Sequence, residues 1–254
     1  MKTMKKLFVL LALVPALVWA SGGGYPLDKA PDLTNDLAAL QRGARLFVNY
    51  CLNCHSAQSM RYNRLADIGL TDAQIRNNLI LTDAKVGDTM NIAMRPEDAK
   101  KWFGAAPPDL SVIARSRASG AGAGADYLYT YLRTYYQDPA RATGWNNLAF
   151  PNAGMPHVLW QLQGVQKAVF AEHEDPHHSG KASTRFVKFE TVTPGTLTRA
   201  EYDQSIADLT SFLVYMGEPV RADRFRLGVI ALIFLGVFTV FAWRLNASYW
   251  KDIH

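Results

Sequence analysis

Residues 48–57 read VNYCLNCHSA, and they hold both cysteines of a 254-residue chain. The two thiols, Cys51 and Cys54, stand three residues apart, and His55 follows the second one directly. Apolar residues recur at helical spacing from Leu37 to Val48, which predicts a helix that runs into the motif. The cysteines and the histidine are therefore expected to lie together at the end of this helix.

Four kinds of site use closely spaced cysteines, and they need different surroundings. A thioredoxin-type pair needs a βαβ context, which the helical pattern before Cys51 does not supply. A structural disulfide suits an exported protein but leaves His55 unexplained. A zinc site needs a second ligand pair at a matching spacing, and the chain has no other cysteine.

The fourth kind of site is the attachment motif of a c-type haem, CxxCH. Two thiols on one helical turn can each form a thioether with a haem vinyl group. The adjacent histidine is then placed to ligate the iron. The motif occurs once, so the sequence predicts one haem c, bound covalently through Cys51 and Cys54, with His55 as an iron ligand.

The second axial ligand of such an iron is usually a histidine or a methionine. Met155 lies in FPNAGMPH, where two prolines and a glycine prevent a regular helix and can set a rigid loop that presents the sulfur. This makes Met155 the best-presented candidate. Met90 and Met94 in a polar loop, His157, and the HEDPHH segment at 173–178 remain alternatives.

The two ends of the chain predict export and membrane anchoring. Residues 1–20 combine three lysines, an apolar stretch and a small-residue cleavage site, as a secretory signal peptide does. Residues 227–243 carry no charge, and at ~1.5 Å per residue they span roughly 25 Å, enough to cross a bilayer core. The prediction is an exported domain over 21–220 and a C-terminal transmembrane anchor with a short cytoplasmic tail within 221–254. The flanking arginines do not favour this orientation by the positive-inside rule, whereas the signal peptide does.

The formal net charge of +5 comes largely from these two ends. Residues 1–20 hold three basic residues, and residues 221–254 hold five basic and two acidic ones. The domain between them retains 19 basic and 20 acidic residues, so it is nearly neutral. We therefore expect no nucleic-acid partner.

The remaining patterns predict a mainly α-helical domain with loop insertions. Asp36 can cap the helix that enters the cysteine motif, and Thr198 with Glu201 forms a capping box for a helix to about Met216. Further helices are predicted over 72–81, 110–118 and 126–137, loop-rich segments over 83–108 and 119–125, and a strand over 186–192.

The motifs CLNCHSAQSMRY, MRPEDA, PPDLSVIARSR, DYLYTYL and NAGMP, followed by the anchor, resemble the cytochrome c1 family over about residues 30–250. This resemblance implies that Cys51 and Cys54 carry the haem, that His55 is its proximal ligand and that Met155 is its distal ligand. In that family an arginine after PPDLS and a tyrosine in the next helix meet the haem propionates. The best matches here are Arg117 and Tyr127, with Arg115 as the alternative arginine.

The resemblance also implies a function in the cytochrome bc1 complex. The chain would take one electron from the Rieske iron–sulfur protein and pass it to a c-type cytochrome, while quinol chemistry belongs to the cytochrome b subunit. It would be an electron-transfer subunit without a substrate-converting site of its own, in a dimeric complex of the bacterial inner membrane with the haem domain in the periplasm. Two alternatives are another membrane-anchored c-type cytochrome, from an oxidase or a periplasmic dehydrogenase, and an anchored binding module whose two cysteines are simply bridged.

Overall fold

The computed structural model of the chain describes residues 25–174 and 182–252. The signal peptide predicted over 1–20 lies outside the described residues, as do Asp175–His178 of the HEDPHH segment.

Two long helices from opposite ends of the domain form its centre. Helix α1, Leu37–Leu46, begins where the Asp36 carboxylate accepts the N–H of Ala39 at 3.1 Å, and it continues as a wide π-helical turn over Phe47–Cys51. The predicted helix into the cysteine motif is therefore confirmed. The capping box of Thr198 and Glu201 is also confirmed, because it opens the helix Arg199–Gly217.

The helix α1 crosses Arg199–Gly217 at very short range. A Cβ atom on Gly43 would lie 2.3 Å from the carbonyl oxygen of Asp208, so only glycine allows this approach. Beside the crossing, Arg42 makes two hydrogen bonds to the Asp208 carboxylate, at 2.6 and 3.0 Å. Phe47 and Phe212 meet in the core with ring centroids 5.7 Å apart.

The other helices of the domain are short, and they differ in places from the prediction. Between α1 and the long helix Arg199–Gly217, which is α7, the helices are α2 Asp72–Asn78, α3 Pro96–Phe103, α4 Ile113–Ser116, α5 Gly124–Arg133 and α6 Trp160–Gln163, with a 3₁₀ turn over Tyr62–Ile68. Helix α3 lies inside the segment predicted as loop, α4 is shorter than predicted, and α5 ends at Arg133 rather than at Gln137.

The described strands form three antiparallel pairs. The pairs are β1 Ala57–Arg61 with β2 Thr89–Met90, β3 Tyr135–Gln137 with β4 Trp145–Asn147, and β5 Gly164–Glu174 with β6 Ala182–Pro194. The strand predicted over 186–192 lies inside β6, whereas its partner β5 was not predicted. The pair β3–β4 matters most for the site, because the loop that carries Met155 follows β4.

The C-terminal helix α8, Arg221–Tyr249, contains the predicted anchor. Its segment Asp223–Tyr249 is long and apolar enough to cross a membrane, and none of its apolar window is buried. Glu218, between α7 and α8, forms ion pairs with Arg115 at 3.0 Å and with Arg224 at 2.8 Å. These pairs tie the base of the anchor to the domain.

Candidate functional site

The cysteine motif folds into one tight turn at the end of the helix that begins with α1. The N–H groups of Cys54 and His55 both donate to the carbonyl oxygen of Cys51, at 3.1 and 2.9 Å. Both thiols are free and half-buried. Burial, with a smaller contribution from Cys54, raises the pKa of the Cys51 thiol to about 12, so this thiol is neutral at physiological pH.

His55 is oriented by the backbone of the PPDLS segment. Its Nδ1 lies 2.7 Å from the carbonyl oxygen of Pro108. A carbonyl can only accept, so Nδ1 carries the proton and Nε2 keeps its lone pair for a metal. Burial lowers the pKa of His55, although the Pro108 carbonyl and Asp109 raise it. The ring is therefore held as a neutral imidazole, the form that ligates metals.

Further hydrogen bonds fix the PPDLS segment against the residues that follow His55. Leu110 donates its N–H to the Ser56 carbonyl at 2.8 Å. The Asp109 carboxylate accepts the Ser56 hydroxyl at 3.0 Å and the N–H groups of Gln58 and Ser111 at 2.8 Å each. Burial alone would raise the pKa of Asp109, but these donors hold it below its usual value. The hydrogen bond between His55 and Pro108, the Pro108 clamp, is therefore one of several that join the PPDLS segment to the residues from His55 to Gln58. We call this set of hydrogen bonds the lock.

The two residues matched to propionate contacts lie together. The guanidinium carbon of Arg117 is 5.5 Å from the centre of the Tyr127 ring, within the range of a cation–π contact. Arg117 is exposed and can still meet an anionic group. Arg115 instead pairs with Glu218 at the base of the anchor. This arrangement favours Arg117 over Arg115 for the propionate contact.

Met155 lies half-buried in the loop between β4 and α6. The start of this loop is fixed by Asn146, whose side-chain oxygen accepts the N–H of Asn152 at 2.8 Å. Asn152 has a left-handed backbone, with φ of 65°, which asparagine tolerates better than most residues. The carbonyl oxygen of Met155 accepts the Tyr135 hydroxyl at 3.2 Å.

The other methionines of the domain and His157 are placed differently from Met155. Met60, Met90 and Met216 pack in the hydrophobic core with 2%, 0% and 6% of their surface exposed, and Met94 is half-buried in its loop. His157 is enclosed by aromatic rings and is only 2% exposed. Its ring stacks on Tyr135 at 4.8 Å and meets Trp145 edge-on at 5.2 Å. Of the five methionines that the structure describes, Met94 and Met155 are the ones that keep appreciable exposure.

Sequence reasoning missed two parts of this arrangement. The Pro108 carbonyl is a backbone group, 53 residues from the histidine that it orients. Tyr131 and Tyr135 join the Tyr127 helix to the Met155 loop, and in the sequence they appear only as part of an aromatic helix face. The PPDLS motif was visible, but its contact with His55 was not.

The donor set fits a covalently attached haem. Two free thiols share a turn with an imidazole whose Nε2 is free, and an arginine–tyrosine pair and a loop methionine complete the set. Within residues 25–174 and 182–252, no group of three or more histidine, cysteine, aspartate or glutamate side chains is placed to hold a metal ion.

Comparison with known proteins identifies the family. Residues 29–253 match the model of the Cytochrome C1 family. Cytochrome c1 of Allochromatium vinosum is 46% identical over 254 residues, which covers 99% of this chain and all of the relative. A protein of Nitrosomonas europaea named ammonia monooxygenase gamma subunit is also 46% identical, with both chains fully covered. Cytochrome c1 of Rhodospirillum rubrum is 26% identical over 86% of this chain and 83% of its own.

The family match spans the cysteine turn, the PPDLS segment, the Met155 loop and the membrane helix, so it covers every element of the site. Proteins of this family bind haem c covalently and transfer electrons as the haem subunit of the cytochrome bc1 complex. These matches do not favour the alternative that the chain is a membrane-anchored c-type cytochrome of another kind. The chain belongs to the cytochrome c1 family and is a membrane-anchored, haem c-carrying electron-transfer protein.

Proposed function

We propose that the chain takes one electron from a Rieske iron–sulfur protein and passes it to a c-type cytochrome through a haem held by Cys51, Cys54, His55 and Met155. The observation that carries this proposal is the His55–Pro108 hydrogen bond beside two free thiols on the same turn. It supplies a neutral imidazole with a free Nε2 next to both attachment points.

Each residue of the site has a distinct task in this proposal. The bound haem supplies reversible one-electron chemistry. Cys51 and Cys54 keep the haem attached, and Pro108 keeps His55 in the tautomer that can ligate iron. Met155 supplies a thioether, which raises the reduction potential relative to a second histidine. Arg117 and Tyr127 offer positive charge and a hydroxyl to the propionates.

The surroundings of the chain in the cell are also part of the proposal. Family membership implies a cytochrome b subunit and a Rieske protein as partners. We propose that the complex is dimeric and that the domain over 21–220 faces the periplasm after removal of residues 1–20. The name of the Nitrosomonas relative points to a different complex. Purification of the native assembly distinguishes a cytochrome bc1 complex from the complex that this name indicates, because a cytochrome b subunit and a Rieske protein would copurify with the chain only from the bc1 complex.

The assignment of Met155 is tested by Met155→Leu, with Met94→Leu as the matched control. We expect Met155→Leu to keep its haem after denaturation, because the thioethers remain. It should lose the sulfur-to-iron charge-transfer band of the oxidised spectrum, and its potential should fall because the thioether favours the ferrous state. Met94→Leu should behave as the wild type. If Met94→Leu instead removes the band, the assigned methionine is wrong.

A further inference from the structure

The hydroxyl groups of two tyrosines connect the Tyr127 helix to the Met155 loop. Tyr131, near the end of α5, and Tyr135, the first residue of β3, have their hydroxyl oxygens in hydrogen-bond contact. The Tyr135 hydroxyl also contacts the carbonyl oxygen of Met155 at 3.2 Å. Tyr135 is completely buried, so its hydroxyl depends on these protein partners.

The direction of the hydrogen bonds follows from counting protons. A tyrosine hydroxyl has one proton to donate, and a carbonyl oxygen can only accept. Tyr135 therefore donates to Met155 and accepts from Tyr131. The order Tyr131 to Tyr135 to Met155 is fixed, and removal of either hydroxyl breaks a different link.

The same tyrosine ring holds the loop at a second point. The Tyr135 ring stacks on His157 at 4.8 Å with an interplanar angle of 8°. His157 is two residues beyond Met155, so Tyr135 contacts the loop at Met155 through its hydroxyl and just past it through its ring. The start of the loop is held separately by Asn146. The loop is therefore held before Met155 by Asn146, and at and after Met155 by Tyr135.

The other end of the tyrosine pair reaches the residues assigned to the propionates. The Tyr131 ring stacks on the Tyr127 ring with centroids 5.8 Å apart, and the guanidinium of Arg117 makes a cation–π contact with the Tyr127 ring. A continuous contact path thus runs from Arg117 to the Met155 carbonyl. It joins two parts of the haem site that are far apart in sequence.

We propose that Tyr135, supported by Tyr131, is a positioning residue that keeps the Met155 sulfur on the haem iron. This inference rests on the proposed assignment of Met155 as the distal ligand. Tyr135 acts through the backbone of the loop and does not touch the iron. Without its hydroxyl, the loop should open more often, and the sixth position of the iron should become accessible to an external ligand.

The test uses the membrane-anchored holoprotein with Tyr135→Phe, Tyr131→Phe and Tyr136→Phe. The probe is imidazole, titrated against the oxidised haem, with the charge-transfer band and the reduction potential as further readouts. Tyr136 is the matched control, because it is the next residue on β3 and its ring packs against Phe170 instead. All three variants remove a single oxygen and keep the ring.

We expect Tyr135→Phe to bind imidazole more tightly by roughly two- to tenfold, the equivalent of one hydrogen bond of about 0.5–1.5 kcal/mol. Tyr131→Phe should show a smaller increase, because the Tyr135–Met155 bond remains. Tyr136→Phe should match the wild type. Unchanged imidazole affinity in Tyr135→Phe, or an equal increase in Tyr136→Phe, would overturn the proposal. If Tyr135→Phe does not fold, unchanged affinity in Tyr131→Phe would overturn it as well.

The wild-type spectrum distinguishes this failure from a wrong ligand assignment. A wild-type protein without a sulfur-to-iron band would refute Met155 as the ligand before any tyrosine is changed. A band that Met155→Leu removes, together with no response to the tyrosine variants, would refute only the positioning role.

Discussion

At the scale of single residues, Asp109 connects the two segments that orient the haem ligand. We expect Asp109→Asn to lower the free energy of unfolding by about 1 kcal/mol, because the partly exposed carboxylate loses charge-assisted hydrogen bonds that solvent already screens. Chemical denaturation measures this value. Asp83→Asn is the control, since Asp83 is also exposed but lies outside the lock. Equal losses in the two variants would show that the hydrogen bonds of Asp109 contribute nothing.

The contribution of Asp109 to stability should also depend on pH. Its pKa is lower in the folded chain than in the unfolded one. The folded state therefore gains stability while Asp109 is ionised, above the unfolded value of about 3.9. The gain is lost as the pH falls below that value towards the folded pKa. The difference in unfolding free energy between the wild type and Asp109→Asn should be full at pH 7 and shrink in acid; a difference that is constant across this range would contradict the pKa shift.

How much of the site the sequence could predict depends on distance along the chain. The turn at Cys51–His55 is local, so its spacing alone indicated a haem site. The Pro108 clamp and the Tyr135–Met155 bond depend on segments that meet only in the folded chain. The Arg115–Glu218 ion pair has no sequence signal for the same reason, because Glu218 lies about a hundred residues further along the chain.

At the scale of helices and strands, the crossing of α1 and α7 leaves no room for a side chain at Gly43. We expect Gly43→Ala to destabilise the protein by about 1–3 kcal/mol or more, because the new methyl group overlaps the Asp208 carbonyl and Phe212. Thermal unfolding measures the change. Gly120→Ala is the control, because a Cβ atom at Gly120 meets nothing within 4 Å. If the two variants unfold alike, the helices can separate without cost.

Helices with strong end signals were predicted best. Asp36 and the Thr198–Glu201 box are local caps, and both helices begin where these caps indicated. The segment 83–108 was predicted as loop-rich, but Pro96 opens α3, where a proline without an N–H is well tolerated. The helix predicted to Gln137 ends at Arg133, and Tyr135–Gln137 forms a strand instead, because it pairs with Trp145–Asn147. That pairing is tertiary and has no local signal.

At the scale of the whole molecule, ion pairs join the domain to the anchor: Glu218 pairs with Arg115 and Arg224, and Arg221 pairs with Asp32. We expect a chain that ends after Glu218 to export, bind haem and fold as a soluble protein with an almost unchanged spectrum. The haem ligands, the α1–α7 core and the Arg115–Glu218 pair all remain. It should fail to hold the membrane complex together, because helix packing in lipid is lost. Haem spectra test whether the truncated chain folds and binds haem, and copurification of the cytochrome b subunit tests whether the complex still assembles.

Two results would contradict this expectation. A truncated chain that cannot bind haem would make α8 part of the fold. A complex that assembles and turns over normally without α8 would show that this helix only tethers the domain.

The contact between α1 and α7 also determines how long after the synthesis of α1 the domain can complete its fold. Arg42 and Asp208, which meet at this crossing, are 166 residues apart in the chain. If residues leave the ribosome at about 5–20 per second and cross the membrane in order, α1 waits roughly 10–30 s for its partner. Throughout this interval the cysteine turn lacks the core that later half-buries it. Covalent attachment of haem therefore has a window before folding is complete, and its length depends on the speed of synthesis rather than on the stability of the domain.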